Sequence, residues 1–491
     1  MRTFRTAFSI GLCLVSLAAW PQTPTRVILG NTQSLSLVEV ADDALVKRIA
    51  TLRAQAENLG TTRLIVGLRV PFAPEGGLSG TEQLAQLADI RAAQDHLLNQ
   101  IPTLSKTNGS LKRFDSMPFI AAEVSLNELD SLLRMPEVTS VHQDKIHRHQ
   151  LTESVPLIGA SSGTFSGYNG NGQTVAILDT GVDKAHPDLS SRVVSEACYS
   201  TTSVTYSSQT ICPGGGSAST AMGSALPYAS GVCPAGSCDH GTHVAAIAAG
   251  AKGVARGANI IAIQVFSKFP AGAYCGATAC ALSFDSDQIA GLERVYALRN
   301  NHAIAVVNMS LGGGQYFSQA LCDADNAPTK VAIDNLRSVG IATVIASGNS
   351  GYTSSMGSPG CISTAVSVGA TGDGSGGATQ DQVMSYSNSA SFLNLLAPGS
   401  KITAAIPNNS YGTWDGTSMA TPHVAGAWAV LKSKKPSATV DQVLFALTSS
   451  GQSVTDSRNS LTKPRIQVTA AANSLGTGSK SIIPALMLLL N

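Results

Sequence analysis

Four segments of the sequence carry side chains of the types that acyl transfer requires. Asp179 ends the apolar run 175–179, and the other three groups are His240, Asn349 and Ser418. A serine hydroxyl can act as a nucleophile, an imidazole as its base, and a carboxylate as the group that orients the base. An asparagine amide can donate a hydrogen bond to an oxyanion. The sequence therefore contains a complete set of groups for hydrolysis through an acylated serine.

Each of these groups also has a purely structural interpretation. Asp179 and Ser418 are of residue types that commonly cap helices or turns, and Asn349 lies in a glycine-rich turn. His240 and His243 are three residues apart without a glutamate between them, so they do not match a zinc-binding helix. The catalytic interpretation is favoured because three of the four segments adjoin regular elements at one predicted sheet edge.

The elements that position these groups follow a regular alternation. Short apolar runs without polar alternation occur at 175–179, 260–266, 303–311, 342–349 and 365–370. Helical patterns occur between and after them, at 284–299, 329–339, 418–433 and 440–449. This alternation predicts an α/β fold, a mostly parallel sheet with helices on both faces. Residues 196–237, rich in Ser, Thr, Gly and Cys, are predicted to be a loop insertion.

A change in charge density divides the chain near residue 150. Residues 21–150 hold 27 charged side chains in 130 positions, and residues 151–491 hold 34 in 341. Strand patterns at 62–70, 117–124 and 137–143 and helical patterns at 81–99 and 125–135 predict a small α+β unit before this boundary. The net charge of +1 and the lack of a basic run argue against nucleic acid as a partner.

The start of the chain and its cysteines indicate an exported protein. Arg2 and Arg5 precede a short apolar stretch, which predicts a signal peptide over residues 1–20 and a location outside the cell or in the periplasm. Residues 476–491 form a linker and an apolar tail that is too short to span a bilayer alone. Eight cysteines remain after the signal, an even number that favours disulfides. Of the 105 pairings, nearest neighbours are preferred: 198–212, 233–238, 275–280 and 322–361.

Three of the segments resemble, in order, the active-site motifs of the subtilisin-like serine proteases, the subtilases. The strings are DTGVDKAHPDL, HGTHVAAIAAG and GTSMATPHVAG, and ASGNSG is similar to the oxyanion segment of the family. The resemblance covers residues 151–475 and implies a subtilisin-like catalytic domain and a secreted serine endopeptidase. It implies that Asp179 orients His240, that His240 is the general base for Ser418, and that Asn349 contributes to the oxyanion hole.

The resemblance also implies where substrate binds. Six residues in two segments are expected to contact it: Ser310, Leu311, Gly312, Ala346, Ser347 and Gly348. None of them is charged, so we expect an apolar or broad preference. The expected partners are protein or peptide substrates, and the enzyme is expected to be a monomer without a stable membrane span.

By the same resemblance, residues 21–150 are an inhibitory propeptide whose α+β unit spans about 62–147. Self-cleavage is expected near 145–153, so the precursor would process itself. No cofactor or metal is expected to take part in catalysis. A structural calcium ion is typical of the family, but the sequence does not assign its ligands.

Three other interpretations compete with this one. Asp179-Thr180-Gly181 resembles an aspartic protease motif, but that chemistry needs two carboxylates and the sequence has no second copy. An inactive subtilase scaffold acting as a binding protein, and an enzyme that forms peptide bonds through the same acyl-enzyme, both stay open on the sequence alone.

Overall fold

The computed structural model of the chain describes residues 43–106, 111–144, 146–147, 155, 157–160, 167–375 and 377–476. The chain divides into two compact units, Met1–Thr51 and Leu52–Asn491. The described part of the first unit is the start of helix α1 (Asp43–Leu59). The predicted signal peptide and nearly all of the predicted tail lie outside the described residues. No described helix is both long and apolar enough to cross a membrane.

The second unit begins with a small antiparallel sheet. Its elements are β1 (Thr62–Leu68), α2 (Gly80–Gln100), β2 (Lys112–Arg113), β3 (Phe119–Val124), α3 (Leu126–Arg134) and β4 (Val138–Gln143). The strand order is β2-β3-β1-β4, so β1 lies between β3 and β4. Ser79 and Ser125 begin α2 and α3 with capping boxes, which satisfy the first free N–H groups of each helix. Three strands and two helices fall where the pattern predicts them, whereas α1 and β2 were not predicted.

The rest of the chain contributes eighteen strands and seven helices within the described residues. The strands are β5 (Ile146–His147), β6 (Thr174–Asp179), β7 (Val193–Tyr199), β8 (Gln209–Thr210), β9 (Ala218–Ser219), β10 (Asn259–Gln264), β11 (Ser267–Phe269), β12 (Cys280–Phe284), β13 (Ile304–Met309), β14 (Gly313–Tyr316), β15 (Ala342–Ala346), β16 (Met356–Ser358), β17 (Val366–Thr371), β18 (Leu395–Pro398), β19 (Ile402–Ile406), β20 (Ser410–Trp414), β21 (Gln452–Thr455) and β22 (Thr462–Arg465). The helices are α4 (His240–Ala249), α5 (Asp285–Leu298), α6 (Gln319–Asp325), α7 (Ala327–Ser338), α8 (Thr417–Lys434), α9 (Val440–Ser449) and α10 (Val468–Gly476).

A ten-stranded sheet forms the centre of this part, in the order β21-β22-β18-β17-β15-β13-β6-β10-β7-β9. The strands from β18 to β7 pair in parallel. Successive side chains of β6 serve two separate cores: Val175 and Ile177 pack with α4 and α8, whereas Ala176 and Leu178 pack with α5 and α7. Helices therefore cover both faces, and the predicted parallel sheet is confirmed.

The four disulfides join nearest neighbours, as preferred from the spacing: Cys198–Cys212, Cys233–Cys238, Cys275–Cys280 and Cys322–Cys361. The predicted loop insertion 196–237 begins too early, because residues 196–199 form the end of β7 and pair with β10. Glu196, a charged residue within β7, interrupts the apolar pattern from which strands are predicted. Its carboxylate is nevertheless buried, paired with Lys184.

Candidate active site

Asp179 lies at the carboxyl end of β6, buried from solvent. Its Oδ1 accepts hydrogen bonds from the backbone N–H of Thr180 at 2.7 Å and from His240 Nδ1 at 2.6 Å. The turn after the strand is sharp because Gly181 adopts a φ of +99°, a conformation that favours glycine. The carboxylate is therefore fixed on one side by its own turn and on the other by the imidazole.

His240 is the first residue of α4 and is 1% exposed. The helix starts directly against the Asp179 turn: Gly241 N–H donates to Thr180 Oγ1 at 2.9 Å. A side chain on Gly241 would place Cβ 2.3 Å from the carbonyl oxygen of Gly181, so glycine is needed for this close approach. The hydrogen bond from Nδ1 to Asp179 leaves Nε2 as the nitrogen able to accept a proton.

His243 has the structural role that an isolated histidine usually has. Its Nε2 donates to the carbonyl oxygen of Gly412 at 3.0 Å, and its ring stacks on Trp414 with centroids 4.7 Å apart. Burial lowers the pKa of His243 to about 3, so the ring stays neutral. It links α4 to the hairpin formed by β19 and β20.

Ser418 is the second residue of α8, where free N–H groups favour negative charge. Its Oγ donates to the carbonyl oxygen of Ser310 at 3.1 Å, and Ser310 Oγ donates to the carbonyl oxygen of Ser418 at 2.7 Å. Ser310 directly follows β13, the neighbour of β6. This reciprocal pair of bonds fixes the start of α8 at the carboxyl edge of the sheet, the edge at which Asp179 also lies.

Asn349 follows β15, the next strand along the same edge. Its Oδ1 accepts from the backbone N–H of Thr417 at 2.8 Å and from Thr417 Oγ1 at 3.0 Å. These two bonds identify which end of the amide is oxygen. The Nδ2 end is therefore the one available to donate to a ligand beside Ser418.

The six residues expected to contact substrate differ in accessibility. Four are buried: Ser310, Leu311, Ala346 and Ser347, each at most 2% exposed. Gly312 and Gly348 are partly exposed. Gly348 has a φ of +103°, and a Cβ there would lie 2.4 Å from Asn388 Nδ2. In these two segments, the accessible backbone is therefore that of Gly312 and Gly348.

Two residues of the site were not anticipated from the sequence. Thr417 orients Asn349, and its position immediately before Ser418 in the GTS string was the available signal. Asn388, 1% exposed, accepts from Ser350 N–H at 3.0 Å and from Tyr352 N–H at 3.1 Å, and it donates to the carbonyl oxygen of Ser347 at 2.9 Å. It shapes the turn that carries Asn349, and no local pattern indicates this role.

Within the described ranges, no three His, Cys, Asp or Glu side chains lie together in a way that could hold a metal ion. A structural calcium ion held by backbone oxygens stays a prediction.

A parallel α/β sheet with aspartate, imidazole and serine hydroxyl at its carboxyl edge defines the class of subtilisin-like proteins. A family model described as the subtilase family matches residues 170–478. Subtilisin E of Bacillus subtilis (strain 168) is 32% identical over 354 residues, which cover 69% of this chain and 77% of that protein. An alkaline protease of Shouchella clausii is 30% identical over 337 residues, covering 67% of this chain and 72% of that protein.

A solved structure, that of a cold adapted subtilisin-like serine proteinase, is 27% identical with a TM-score of 0.45 and covers 64% of this chain and 98% of that chain. The family match extends over more than half of the chain. The two relatives are at least 30% identical to it over two thirds or more of its length. The chain therefore belongs to the subtilase family, which implies a serine endopeptidase. The resemblance found from the three motifs is confirmed.

Proposed function

We propose that the chain is a secreted serine endopeptidase that hydrolyses peptide bonds through an acyl-enzyme on Ser418. The hydrogen bond of 2.6 Å between Asp179 and His240 carries the proposal, because it orients an imidazole in the way that the general base for a serine nucleophile requires.

The mechanism follows from these positions. His240 Nε2 takes the proton of Ser418 as its Oγ attacks the scissile carbonyl carbon, and it then gives that proton to the leaving amine. Asp179 holds the imidazole in the tautomer with hydrogen on Nδ1 and stabilises its charged form. The Ser418 N–H and Asn349 Nδ2 stabilise the oxyanion of the tetrahedral intermediate. Water then takes the place of the amine: His240 accepts a proton from it as its oxygen attacks the ester carbonyl carbon, and returns that proton to Ser418 Oγ as the ester bond breaks and the acid is released.

We propose an apolar or broad preference for the residue before the cut. The partly exposed backbones of Gly312 and Gly348 carry no side chain, and the buried residues beside them are uncharged. An extended peptide can form strand-like backbone hydrogen bonds at such a surface, and these do not select for side-chain charge.

The antiparallel sheet and its flanking helices are proposed to be an inhibitory propeptide that the enzyme removes itself. Helix α5 has no side-chain cap of its own, and Asp144 supplies one: Ser286 N–H donates to Asp144 Oδ1 at 2.8 Å. Arg63, on β1, pairs with the same carboxylate at 2.8 Å, with both side chains fully buried. This part of the chain therefore completes a helix of the parallel sheet domain, as a folding template would.

The segment after β4 continues along the parallel sheet domain. Strand β5 pairs antiparallel with β12, with His147 opposite Ser283 and Ile146 opposite Phe284. An edge strand that accepts an extended chain of the precursor can accept a peptide in the same way. The expected cleavage region, 145–153, lies mostly outside the described residues.

Location and cofactors are proposed on chemical grounds. Four disulfides are typical of chains that fold in an oxidising compartment, and the predicted signal peptide agrees with export. The side chains named above supply every proton transfer that hydrolysis needs, so we propose that catalysis requires no cofactor. We propose that the mature enzyme acts as a monomer.

Labelling with a fluorophosphonate tests this function. Purified protein is treated with the probe and examined by intact mass and peptide mapping. One adduct on Ser418, absent from His240→Ala, together with casein cleavage, is the expected result. A folded chain free of residues 21–150 that takes no adduct would contradict the proposal and favour an inactive binding scaffold. Peptide ligation products in place of hydrolysis would indicate transpeptidation.

A further inference from the structure

The loop closed by Cys198 and Cys212, here called the 198–212 loop, is rigidly attached to the parallel sheet domain. The disulfide joins Cys198, near the end of β7, to Cys212, two residues after β8. Across the loop, Ser203 and Ser208 exchange two backbone hydrogen bonds of 3.2 and 3.0 Å. The four residues between them form a tight turn, so the loop presents a fixed surface.

The turn is anchored to the parallel sheet domain by an aromatic cluster around Tyr206. Tyr206 is 5% exposed although it lies at the tip of the loop. Its ring lies 5.4 Å from that of Phe284, 5.5 Å from Tyr274 and 6.4 Å from Phe269. These rings belong to the hairpin of β11 and β12, and β8 pairs with β11. Packing against the hairpin therefore fixes the direction in which the neighbouring Thr205 points.

Thr205 contacts a carboxylate of the proposed propeptide. Glu123, on β3, accepts a hydrogen bond from Thr205 N–H at 3.0 Å and another from Thr205 Oγ1 at 2.6 Å. Thr61 Oγ1 donates to the same oxygen at 2.8 Å. Beside this contact, Gln55 Nε2 donates to Tyr206 Oη at 2.9 Å. Glu123 is only 5% exposed, so it lies enclosed between the antiparallel sheet and the 198–212 loop.

The carboxylate of Glu123 is held in its charged form. Burial alone would raise the pKa of Glu123, but the hydroxyl and amide of Thr205 and the hydroxyl of Thr61 lower it below the ordinary value. Arg63 contributes in the same direction. Removing the hydrogen-bond donors of a buried charge costs free energy, because the charge then lacks both water and partners. The donors of Glu123 include groups from across the interface.

We propose that the 198–212 loop is a selectivity surface for the propeptide of this chain. The partner that fits it is a strand carrying a buried carboxylate at the position of Glu123, which Thr205 recognises with one amide and one hydroxyl. A propeptide of the same fold with an apolar side chain there would leave the Thr205 N–H without this acceptor. The inference rests on the proposed function, because retention of a cut propeptide has meaning only for a self-processing enzyme.

Hydrogen exchange in the uncut Ser418→Ala chain tests the contact without relying on activity. Peptides that contain Thr205 are compared between this chain and the same chain with Glu123→Ala. We expect the Thr205 amide to exchange about 10- to 100-fold faster in the variant, as expected for loss of a hydrogen bond to a charged group. Glu123→Gln, which keeps an acceptor oxygen, should give a smaller change. Unchanged exchange in Glu123→Ala would overturn the proposal.

Escape from inhibition tests the selectivity in the active chain. After processing, the complex is diluted, and free active sites are counted over time with the fluorophosphonate. We expect Thr205→Val and Glu123→Gln each to release the propeptide about tenfold faster or more, and the double variant to release it less than the product of the two effects. Val204→Ala is the matched control, because Val204 is 82% exposed at the same turn.

The outcomes separate the two proposals. Normal labelling and processing with unchanged escape in Thr205→Val and Glu123→Gln would overturn the loop's role and leave the proposed function intact. A chain that neither labels nor processes itself would overturn the proposed function and with it the selectivity role. Kinetic constants of the matured Glu123→Gln enzyme should equal those of the wild type, because the mature sequences are identical.

Discussion

The side-chain oxygen of Asn349 is held by Thr417, the residue immediately before Ser418, through hydrogen bonds of 2.8 Å from the backbone N–H and 3.0 Å from the hydroxyl. The amide donor and the proposed nucleophile are thereby fixed to the same turn. Because the oxygen end of the amide is occupied, its Nδ2 end is the one that can donate to the proposed oxyanion. The proposed oxyanion hole is therefore organised before substrate binds.

Asn349→Ala is expected to lower kcat about 100- to 1,000-fold and to change KM little, because the lost donor acts mainly in the transition state. Thr417→Val, which removes only the hydroxyl, should lower kcat by about tenfold, and Thr417→Ser should retain nearly full activity. Steady-state kinetics on a peptide substrate measure all three. A raised KM with unchanged kcat in Asn349→Ala would contradict the assignment.

The affinity of the cut propeptide should fall as pH rises from about 4.5 to 7. Glu293, on α5, accepts from Ser116 N–H at 2.5 Å and from Ser116 Oγ at 2.9 Å, and burial raises its pKa to about 7. In the free enzyme, without Ser116, we expect this carboxyl to be exposed to water and its pKa to return towards the ordinary value near 4.5. Release is therefore coupled to loss of a proton.

The sign follows from this linkage. A group whose pKa is raised in the complex stabilises it fully below the free pKa, and that stabilisation is lost as pH rises through the bound pKa. The dissociation rate of the cut complex, measured between pH 4.5 and 8 by fluorophosphonate counting, should rise up to pH 7 and then level off. Glu293→Gln should flatten this dependence. Equal pH slopes in both proteins would refute the role of Glu293.

The disulfide Cys233–Cys238 should position His240. Cys238 is fully buried, and the intervening Asp239 accepts a hydrogen bond of 2.6 Å from Tyr228 Oη. Burial raises the pKa of Tyr228, so the phenol stays a donor. Replacing both cysteines by alanine should lower kcat about 10- to 100-fold, as displacement of a catalytic group does, with KM nearly unchanged.

A matched control for this prediction lies elsewhere in the chain. The disulfide Cys275–Cys280 has the same separation of five residues, but it belongs to the hairpin of β11 and β12. Its removal should leave kcat within a few-fold of wild type. If both pairs of replacements lowered kcat equally, the effect would be a general loss of rigidity and the positioning role would be wrong.

Gly426→Ala should destabilise the fold although alanine favours helices. A Cβ at Gly426, in α8, would lie 2.6 Å from the carbonyl oxygen of Ala248 in α4 and 2.6 Å from Val254 Cβ. Overpacking of this kind costs about 1–3 kcal/mol, against about 1 kcal/mol gained in helix propensity. A lower unfolding midpoint is expected in the Ser418→Ala background, where autolysis is absent.

Gly216→Ala serves as the control for that measurement, since its nearest contact would be 3.7 Å away and its φ of −75° suits alanine. Its unfolding midpoint should match that of the parent chain. An unchanged midpoint in Gly426→Ala would mean that α4 and α8 can separate freely, against the close packing observed.

Much of this protein is determined by short stretches of sequence. The apolar runs 175–179 and 342–349 contain the parallel strands β6 and β15, because local periodicity depends on neighbouring residues. Three motifs of about ten residues identified the family. Nearest-neighbour pairing of the cysteines succeeded because each bridge closes a short segment, of 5 to 39 residues.

Tertiary structure decided what the same residues do. Ser310, expected to contact substrate, is buried and holds Ser418, 108 positions away. Glu293 and its partner Ser116 are separated by 177 positions. Such contacts form when distant strands and helices meet, and no local pattern encodes which groups will then be adjacent. Sequence therefore specified the chemical groups and the elements that carry them, whereas their hydrogen-bond partners and the resulting pKa values depended on long-range packing.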